Sequence, residues 1–330
     1  MKRATAYANA NIALVKYWGK NDSRFNIPAV SSLSMTLDDL GTLVTVADSS
    51  ATEHSLVVDG QKASHDAITH VNIFLDLVRE FYPFTGHLSI SSKSNVPIAA
   101  GLASSASFFA ALATALNDYF ALDLGQKELS QLARMGSGSA ARSIFSGFAG
   151  LHGGNDIEHH QAYAFSVDIH QKLKLAMVIV LVSQQKKALS SRSAMGLTRI
   201  SSPFFPTMVA TQGKDFADAM DALKTGSFEI LGAVMEHSTL KMFATMWTAK
   251  PAINYWHPDT IAIMSLVYRL RDEFGPRAFF TMDAGPNVKI LCQQDFVPTV
   301  LAKLQKADSA IKIVTQKPGL GAMVMASHLI

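Results

Sequence analysis

Ten residues, Pro97-Ile-Ala-Ala-Gly-Leu-Ala-Ser-Ser-Ala106, constrain the fold of this chain more than any other segment. The alternation in His87 to Ser91 predicts a strand before them, and the Ala-, Leu- and Phe-rich run from Ala103 to Phe120 predicts a helix after them. A strand that passes through small residues into a helix start leaves free backbone N–H groups there, and the helix dipole favours an anion at that spot. Gly101 lets the backbone come close to such a ligand, while Ser104 and Ser105 offer hydroxyls to phosphate oxygens or to a bound Mg2+. A second reading fits the same letters: a small-residue helix start that caps, packs closely and binds nothing. The chain has no Gly-x-x-x-x-Gly-Lys-Ser/Thr and no Gly-x-Gly-x-x-Gly, so neither of those nucleotide-binding fingerprints applies.

Around this segment the patterns mix sheets and helices. Strands are expected at Gly41 to Ala47, Glu53 to Val58, Leu173 to Val182, Ala278 to Met282 and Val288 to Cys292, with helices at Ala67 to Phe81, Thr207 to Leu223, Ser227 to Met246, Thr260 to Phe274 and Val297 to Lys306. The run Leu173 to Val182 reads as a strand buried on both sides. Helical character rises late in the 330 residues, which places a domain boundary near residue 185, giving 1–185 and 186–330. The longest apolar run, Leu175 to Val182, is far shorter than the ~20 residues that span a bilayer, and Met1 to Tyr7 lacks the apolar core of a secretory signal. One cysteine, Cys292, excludes an intrachain disulfide and fits a reducing compartment, so a soluble cytoplasmic protein is expected. A formal charge of +3 is too mild for a nucleic-acid protein but leaves room for a local basic pocket.

Four further segments carry candidate chemistry. Gly136-Ser137-Gly138-Ser139-Ala-Ala-Arg142-Ser143 packs glycines, serines and an arginine into an anion nest in which Arg142 can grip a carboxylate or phosphate; a helix cap with an exposed arginine is the alternative. Lys16-Tyr17-Trp18-Gly19-Lys20 leaves a strand end and suits an anionic ligand with apolar carbons, or else forms a surface turn. Lys186-Lys-Ala-Leu-Ser-Ser191-Arg192-Ser193 follows the buried strand, which would put Ser191 and Arg192 near a sheet edge. Asp283, in the turn Thr281-Met-Asp-Ala-Gly-Pro-Asn287, is either a turn former or an acid or base kept ionised by nearby cations. His159-His160 are adjacent, and no His-Glu-x-x-His or Gly-x-Ser-x-Gly occurs, so a histidine metal centre and a serine hydrolase lack support.

Taken in order, Asn11 to Lys20, Ala100 to Ala106, Gly136 to Ser143, Ser190 to Ser193 and Phe280 to Val288 resemble the GHMP kinase superfamily and, within it, the diphosphomevalonate decarboxylase family. The resemblance implies an α+β GHMP kinase fold, with an N-terminal half like ribosomal protein S5 domain 2, a ferredoxin-like C-terminal half and the active site in the cleft between them. It implies ATP-dependent decarboxylation of (R)-5-diphosphomevalonate to isopentenyl diphosphate, ADP, phosphate and CO2 in isoprenoid biosynthesis, with ATP and Mg2+ as cofactors. It assigns catalysis to Asp283, Arg142 and Lys20, and the substrate to Tyr17, Lys20, Ser137, Gly138, Ser139, Arg142, Ser191 and Arg192. ATP falls to Ser94, Asn95, Pro97, Ala100, Gly101, Leu102, Ala103, Ser104 and Ser105. Mg2+ would be carried mainly by the ATP phosphates, helped by Ser104 or Ser105, with no His or Cys ligand. A small-molecule substrate, no nucleic acid, no membrane and a homodimer complete the expectation. Related decarboxylases take 5-phosphomevalonate or 3,5-bisphosphomevalonate, and a non-catalytic metabolite sensor on this fold is the remaining alternative. The chain departs from the family pattern at Val30, Ile98 and Phe243.

Overall fold

The computed structural model describes residues 2–96, 104–154, 157–183, 185 and 189–330. Among them, strands β1 (Arg3–Val15), β2 (Lys20–Asp22), β3 (Ile27–Pro28), β4 (Ser32–Ser49), β5 (Ser55–Val58), β6 (Gln61–Lys62), β7 (His87–Ser94), β8 (Phe148–Leu151) and β9 (Ala164–Ser166) precede β10 (Leu175–Leu181), β11 (Ala278–Thr281), β12 (Val288–Gln293), β13 (Lys312–Gln316) and β14 (Met323–Met325). Helices α1 (His65–Phe81), α2 (Ser104–Phe120), α3 (Gln126–Gly136) and the single turn α4 (Ala140–Ser143) lie before β8. Then come α5 (Ser191–Ser201), α6 (Phe205–Thr225), α7 (Phe228–Trp247), α8 (Pro258–Phe274) and α9 (Val297–Ala307).

The first sheet runs β14-β1-β4-β7-β5-β6, with β8 on β4 and β9 on β8; only the β5–β7 pair is parallel. One face is covered by α1, α2 and α3. The alanines of α2 let it lie close to β1 and β4, where Phe109, Leu112 and Leu116 bury fully against Ala4, Ala6, Val44 and Val46. Each such side chain contributes about 1.5–3 kcal/mol by leaving water. The second sheet is antiparallel in the order β11-β12-β10-β13. Its strand β10 is buried on both faces, as its unbroken apolar run implies. Met177 and Ile179 point into a cluster shared with Ile12, Leu14, Leu33 and Met35 of the first sheet, while Val178 and Val180 point at α8 and α9. That shared cluster brings the end of β1 up against β11 and β12. Sheet membership changes between Ser166 and Leu175 and returns at Met323, so β10 pairs within the second sheet although it precedes residue 185.

Candidate active site

Lys16 directly follows β1 and is held there by three partners. Its N–H donates to Ser238 Oγ (3.0 Å) on α7, its carbonyl accepts from Gln212 Nε2 (2.9 Å) on α6, and its Nζ donates to the Ala13 carbonyl (2.8 Å). Thr281, last in β11, donates through Oγ1 to the same Ala13 carbonyl (3.3 Å), which stitches the second sheet to the end of β1. Asp283 stands two residues further on. The turn that carries it is fixed by Thr260 Oγ1 donating to the Pro286 carbonyl (2.8 Å) and by Asn287, whose side chain exchanges hydrogen bonds with the Ser183 backbone (2.9 and 3.1 Å).

The carboxylate of Asp283 is clamped between two buried amines. Oδ1 lies 3.2 Å from Lys16 Nζ, and Oδ2 lies 3.1 Å from Lys289 Nζ. The lysine side chains are 1% and 0% exposed, whereas that of Asp283 is 24% exposed and so reaches the cleft. Burial pushes Asp283 up, but the two lysines outweigh it and hold the carboxyl at about 2. Lys16 is pushed down to about 8, by burial first and then by Lys289 and Arg142, against the pull of Asp283. The aspartate is therefore ionised throughout the neutral range.

On the facing side, Asn11 organises α4. Its Nδ2 donates to the Ser139 carbonyl (3.0 Å) and to Ser143 Oγ (2.8 Å), while its Oδ1 accepts from Arg142 (3.3 Å). Arg142 also donates to Ser32 Oγ (2.7 Å), and its guanidinium sits 5.9 Å from the centre of the Tyr17 ring. It is 1% exposed, so the alternative of a helix cap with an exposed arginine is not what forms; burial lowers it to about 10, with Tyr17 and Asp283 pulling the other way. Its Nε and the Tyr17 Oη are buried without a hydrogen-bond partner. Two orphaned donors in a cationic pocket are what an incoming carboxylate or phosphate would satisfy. Gly138 has to be glycine because a Cβ there would lie 2.1 Å from Tyr17 Oη. Tyr17 is neutral, pushed up to about 12 by burial although Arg142, Arg134 and Arg192 all act to lower it.

A second cationic group continues the cleft. Gly19, at φ 91°, turns the chain beneath Phe205 and presents Lys20, whose Nζ donates to Asn26 Oδ1. Burial, then the charge of Arg192, lowers Lys20 to about 8. Expected in both the catalytic and substrate groups, Lys20 lies near Arg192; the amines that pair with Asp283 are those of Lys16 and Lys289. Ser191 and Arg192 occupy the first turn of α5, with Ser190 as N-cap accepting from the Ser193 N–H, and not a sheet-edge turn. A helix start suits an anion, because the helix dipole puts partial positive charge there. Arg192 reaches across to His70 on α1 (2.6 Å).

Of the residues expected on ATP, Pro97, Ala100, Gly101, Leu102 and Ala103 lie outside the described residues, as do Ile98 and the Lys186–Ala188 stretch. Ser94 and Asn95 close the end of β7, Ser94 donating to the Gly41 carbonyl (3.2 Å) and Asn95 bonding Gly41 N–H (2.8 Å) and the Asp39 carbonyl (2.7 Å). Ser104 and Ser105 are exposed at the start of α2, whose first turn carries no acidic residue. Ser105 Oγ is 3.3 Å from Ser137 Oγ, which is 3.3 Å from Ser139 Oγ. A hydroxyl row thus joins the helix start to the Arg142 loop. That arrangement fits the phosphates of ATP. Among the described residues no group of three His, Cys, Asp or Glu could hold a metal ion. Val30 and Phe243, where the chain departs from the family pattern, are 4% and 0% exposed and pack in the core beneath the second sheet.

Residues 8–164 match the model of the diphosphomevalonate decarboxylase-like N-terminal domain, and residues 177–320 that of the mevalonate 5-diphosphate decarboxylase C-terminal domain. The chain belongs to the diphosphomevalonate decarboxylase family. It is 34% identical to the diphosphomevalonate decarboxylase of Candida albicans, over 93% of this chain and 88% of the relative. It is 30% identical to the phosphomevalonate decarboxylase of Haloferax volcanii, over 90% of each. A solved complex of MDDEF with MVAPP, AMPPCP and magnesium superimposes with a TM-score of 0.93 at 37% identity, over 99% of both chains. The GHMP kinase fold and the α+β class follow from such neighbours. Two residues that pair with Asp283 were not read as site residues from the sequence: Lys289, hidden in a strand pattern, and Lys16, noted only as part of a basic cluster. A lysine inside the apolar run of Val288 to Cys292 was the available signal.

Proposed function

We propose that this protein is an enzyme that decarboxylates (R)-5-diphosphomevalonate at the expense of ATP, giving isopentenyl diphosphate, ADP, phosphate and CO2. The observation that carries the proposal is the ionised Asp283, clamped by Lys16 and Lys289 and facing a cleft walled by Tyr17, Arg142, Lys20 and Arg192. Such a cage suits a ligand with a carboxylate at one end and a diphosphate at the other. Support comes from the MDDEF complex, solved with MVAPP, AMPPCP and magnesium. ATP supplies the phosphoryl group that turns the 3-hydroxyl into a leaving group, and Mg2+ neutralises the phosphates; Ser104 and Ser105 would hold that end.

The residues then divide the work by charge. Arg142 grips the substrate carboxylate with its unsatisfied Nε, while Lys20, Tyr17 and Arg192 hold the diphosphate. Asp283 accepts a hydrogen bond from the 3-hydroxyl and aims it. At about 2 its carboxyl is a weak base, so it takes the proton late, once the attacking oxygen has become acidic. Loss of CO2 then relieves the cationic character that builds at C3. The N-terminal half carries the ATP end and the C-terminal half carries Asp283, in a cytoplasmic homodimer; no helix among the described residues is long and apolar enough to cross a membrane. Light scattering on the purified protein should read twice the chain mass, and a single-chain mass would reject the dimer.

One relative supports a second reading: the Haloferax volcanii protein is a phosphomevalonate decarboxylase. Parallel assays of ADP and CO2 with (R)-5-diphosphomevalonate and (R)-5-phosphomevalonate decide between them. The diphosphate is expected to win by about 100-fold in kcat/KM, the worth of one or two charge-assisted hydrogen bonds. Preference for the monophosphate, or ADP without CO2, would replace the proposal.

A further inference from the structure

We propose that His70 is a positioning residue for the diphosphate end of the site, a neutral imidazole that exchanges Arg192 for the Gly136 carbonyl when a diphosphate claims the arginine. This rests on the reading of Arg192 as a diphosphate-binding residue. The geometry behind it is a single nitrogen with two incompatible partners. His70 Nε2 lies 2.6 Å from an Arg192 amine and 2.9 Å from the Gly136 carbonyl oxygen. A guanidinium only donates and a carbonyl only accepts, so one contact needs a bare Nε2 and the other needs Nε2–H.

The ring is held where this conflict cannot be avoided. His70 packs against Phe109 with ring centres 4.7 Å apart, and Phe109 in turn fills the space beside Gly136, where a Cβ would meet it at 2.0 Å. Burial, the charge of Arg192 and that of Lys20 push His70 down to about 4 against the pull of the nearby Gly136 carbonyl, so the ring is uncharged near neutrality and carries one proton. The shorter Arg192 contact puts that proton on Nδ1, which leaves the Nε2 lone pair facing a carbonyl lone pair.

A diphosphate is a stronger, charged acceptor and takes Arg192 in a bidentate grip. One proton then leaves Nδ1 and one arrives at Nε2 through solvent, with no net uptake, and Nε2–H donates to Gly136. Because Gly136 opens the Ser137–Ser139 loop that leads to Arg142, the new bond couples the diphosphate end of the cleft to the carboxylate end. Neither end needs a new side chain for this.

The test is 15N NMR on protein labelled at its eleven histidines, with His70 assigned by the signal lost in His70→Phe, or in His70→Gln should the first variant not fold. Inorganic pyrophosphate is the probe. The expected result is an Nδ1-protonated ring in the free protein and an Nε2-protonated ring at saturation. Alongside it, His70→Phe should raise KM for the diphosphorylated substrate about tenfold, with kcat and the KM for ATP held within about twofold. An unchanged tautomer at calorimetric saturation, where Arg192→Ala abolishes pyrophosphate binding, overturns the inference and leaves the diphosphate reading standing. Pyrophosphate that fails to bind the parent, or binds independently of Arg192, overturns both.

Discussion

Asp283→Ala should lower kcat for CO2 release by about 10³–10⁴-fold and leave substrate affinity within about tenfold, because it removes the group that aims the 3-hydroxyl and spares the residues that hold the two anionic ends. The stability of the variant is equally diagnostic. In the parent, Asp283 falls from 3.8 to about 2, which stabilises the fold by about 2 kcal/mol above pH 4 and is lost between pH 4 and 2. Lys16 falls from 10.5 to about 8, which costs a similar amount below pH 8 and is relieved as pH rises through that value. The opposite contributions nearly offset, so the clamp sets the carboxylate's charge and direction while adding little net stability. Deleting Asp283 removes the favourable half alone. The variant should therefore melt below the parent in mildly acidic solution and recover toward it as pH rises to about 8, because Lys16 without the pull of Asp283 gives up its proton below the parent's value. CO2 release near the parent rate, or a melting deficit independent of pH, would sink the assignment.

Much of this arrangement was legible in the letters. The two-sided burial of β10 follows from an apolar run with no polar alternation, and the placing of Ser104 at the start of a helix that comes after a strand follows from the change of period between β7 and α2. The clustering of Tyr17, Arg142, Arg192 and Asp283 followed from family resemblance, since segments more than a hundred residues apart carry no local sign that they meet. What was missed has physical causes. Only the end of β1, just before Lys16, reads as a strand; its earlier residues are alanine- and asparagine-rich, poor strand formers by propensity, and become a strand because the sheet buries them. Helix α5 has serines and an interior glycine, and only its Ser190 cap announces it. Lys289 alternates like its apolar neighbours along β12, so its pattern reads as core, and it is core; its function is visible only once Asp283 is folded over it.

Lys289→Met isolates what the second amine does. The lysine side chain is 0% exposed, so it has no surface to offer a ligand and acts through Asp283 Oδ2, 3.1 Å away. Methionine fills a similar volume but leaves Asp283 with one cation in place of two, so the fold should survive with a lower melting temperature. The carboxylate is then held at Oδ1 by Lys16 alone and is free to swing about its terminal torsion. A displacement of about 1 Å in the group that orients the attacking hydroxyl costs on the order of 100-fold in rate, so kcat should fall by that amount while KM stays near the parent's. With one cation gone, the Asp283 carboxyl should also rise toward its ordinary value, an upward shift that a 13C-carboxylate titration reads directly. A merely structural lysine would leave both the rate and that titration untouched when replaced by methionine. A kcat within about threefold of the parent, together with an unmoved carboxylate titration, would show that Lys16 alone positions Asp283.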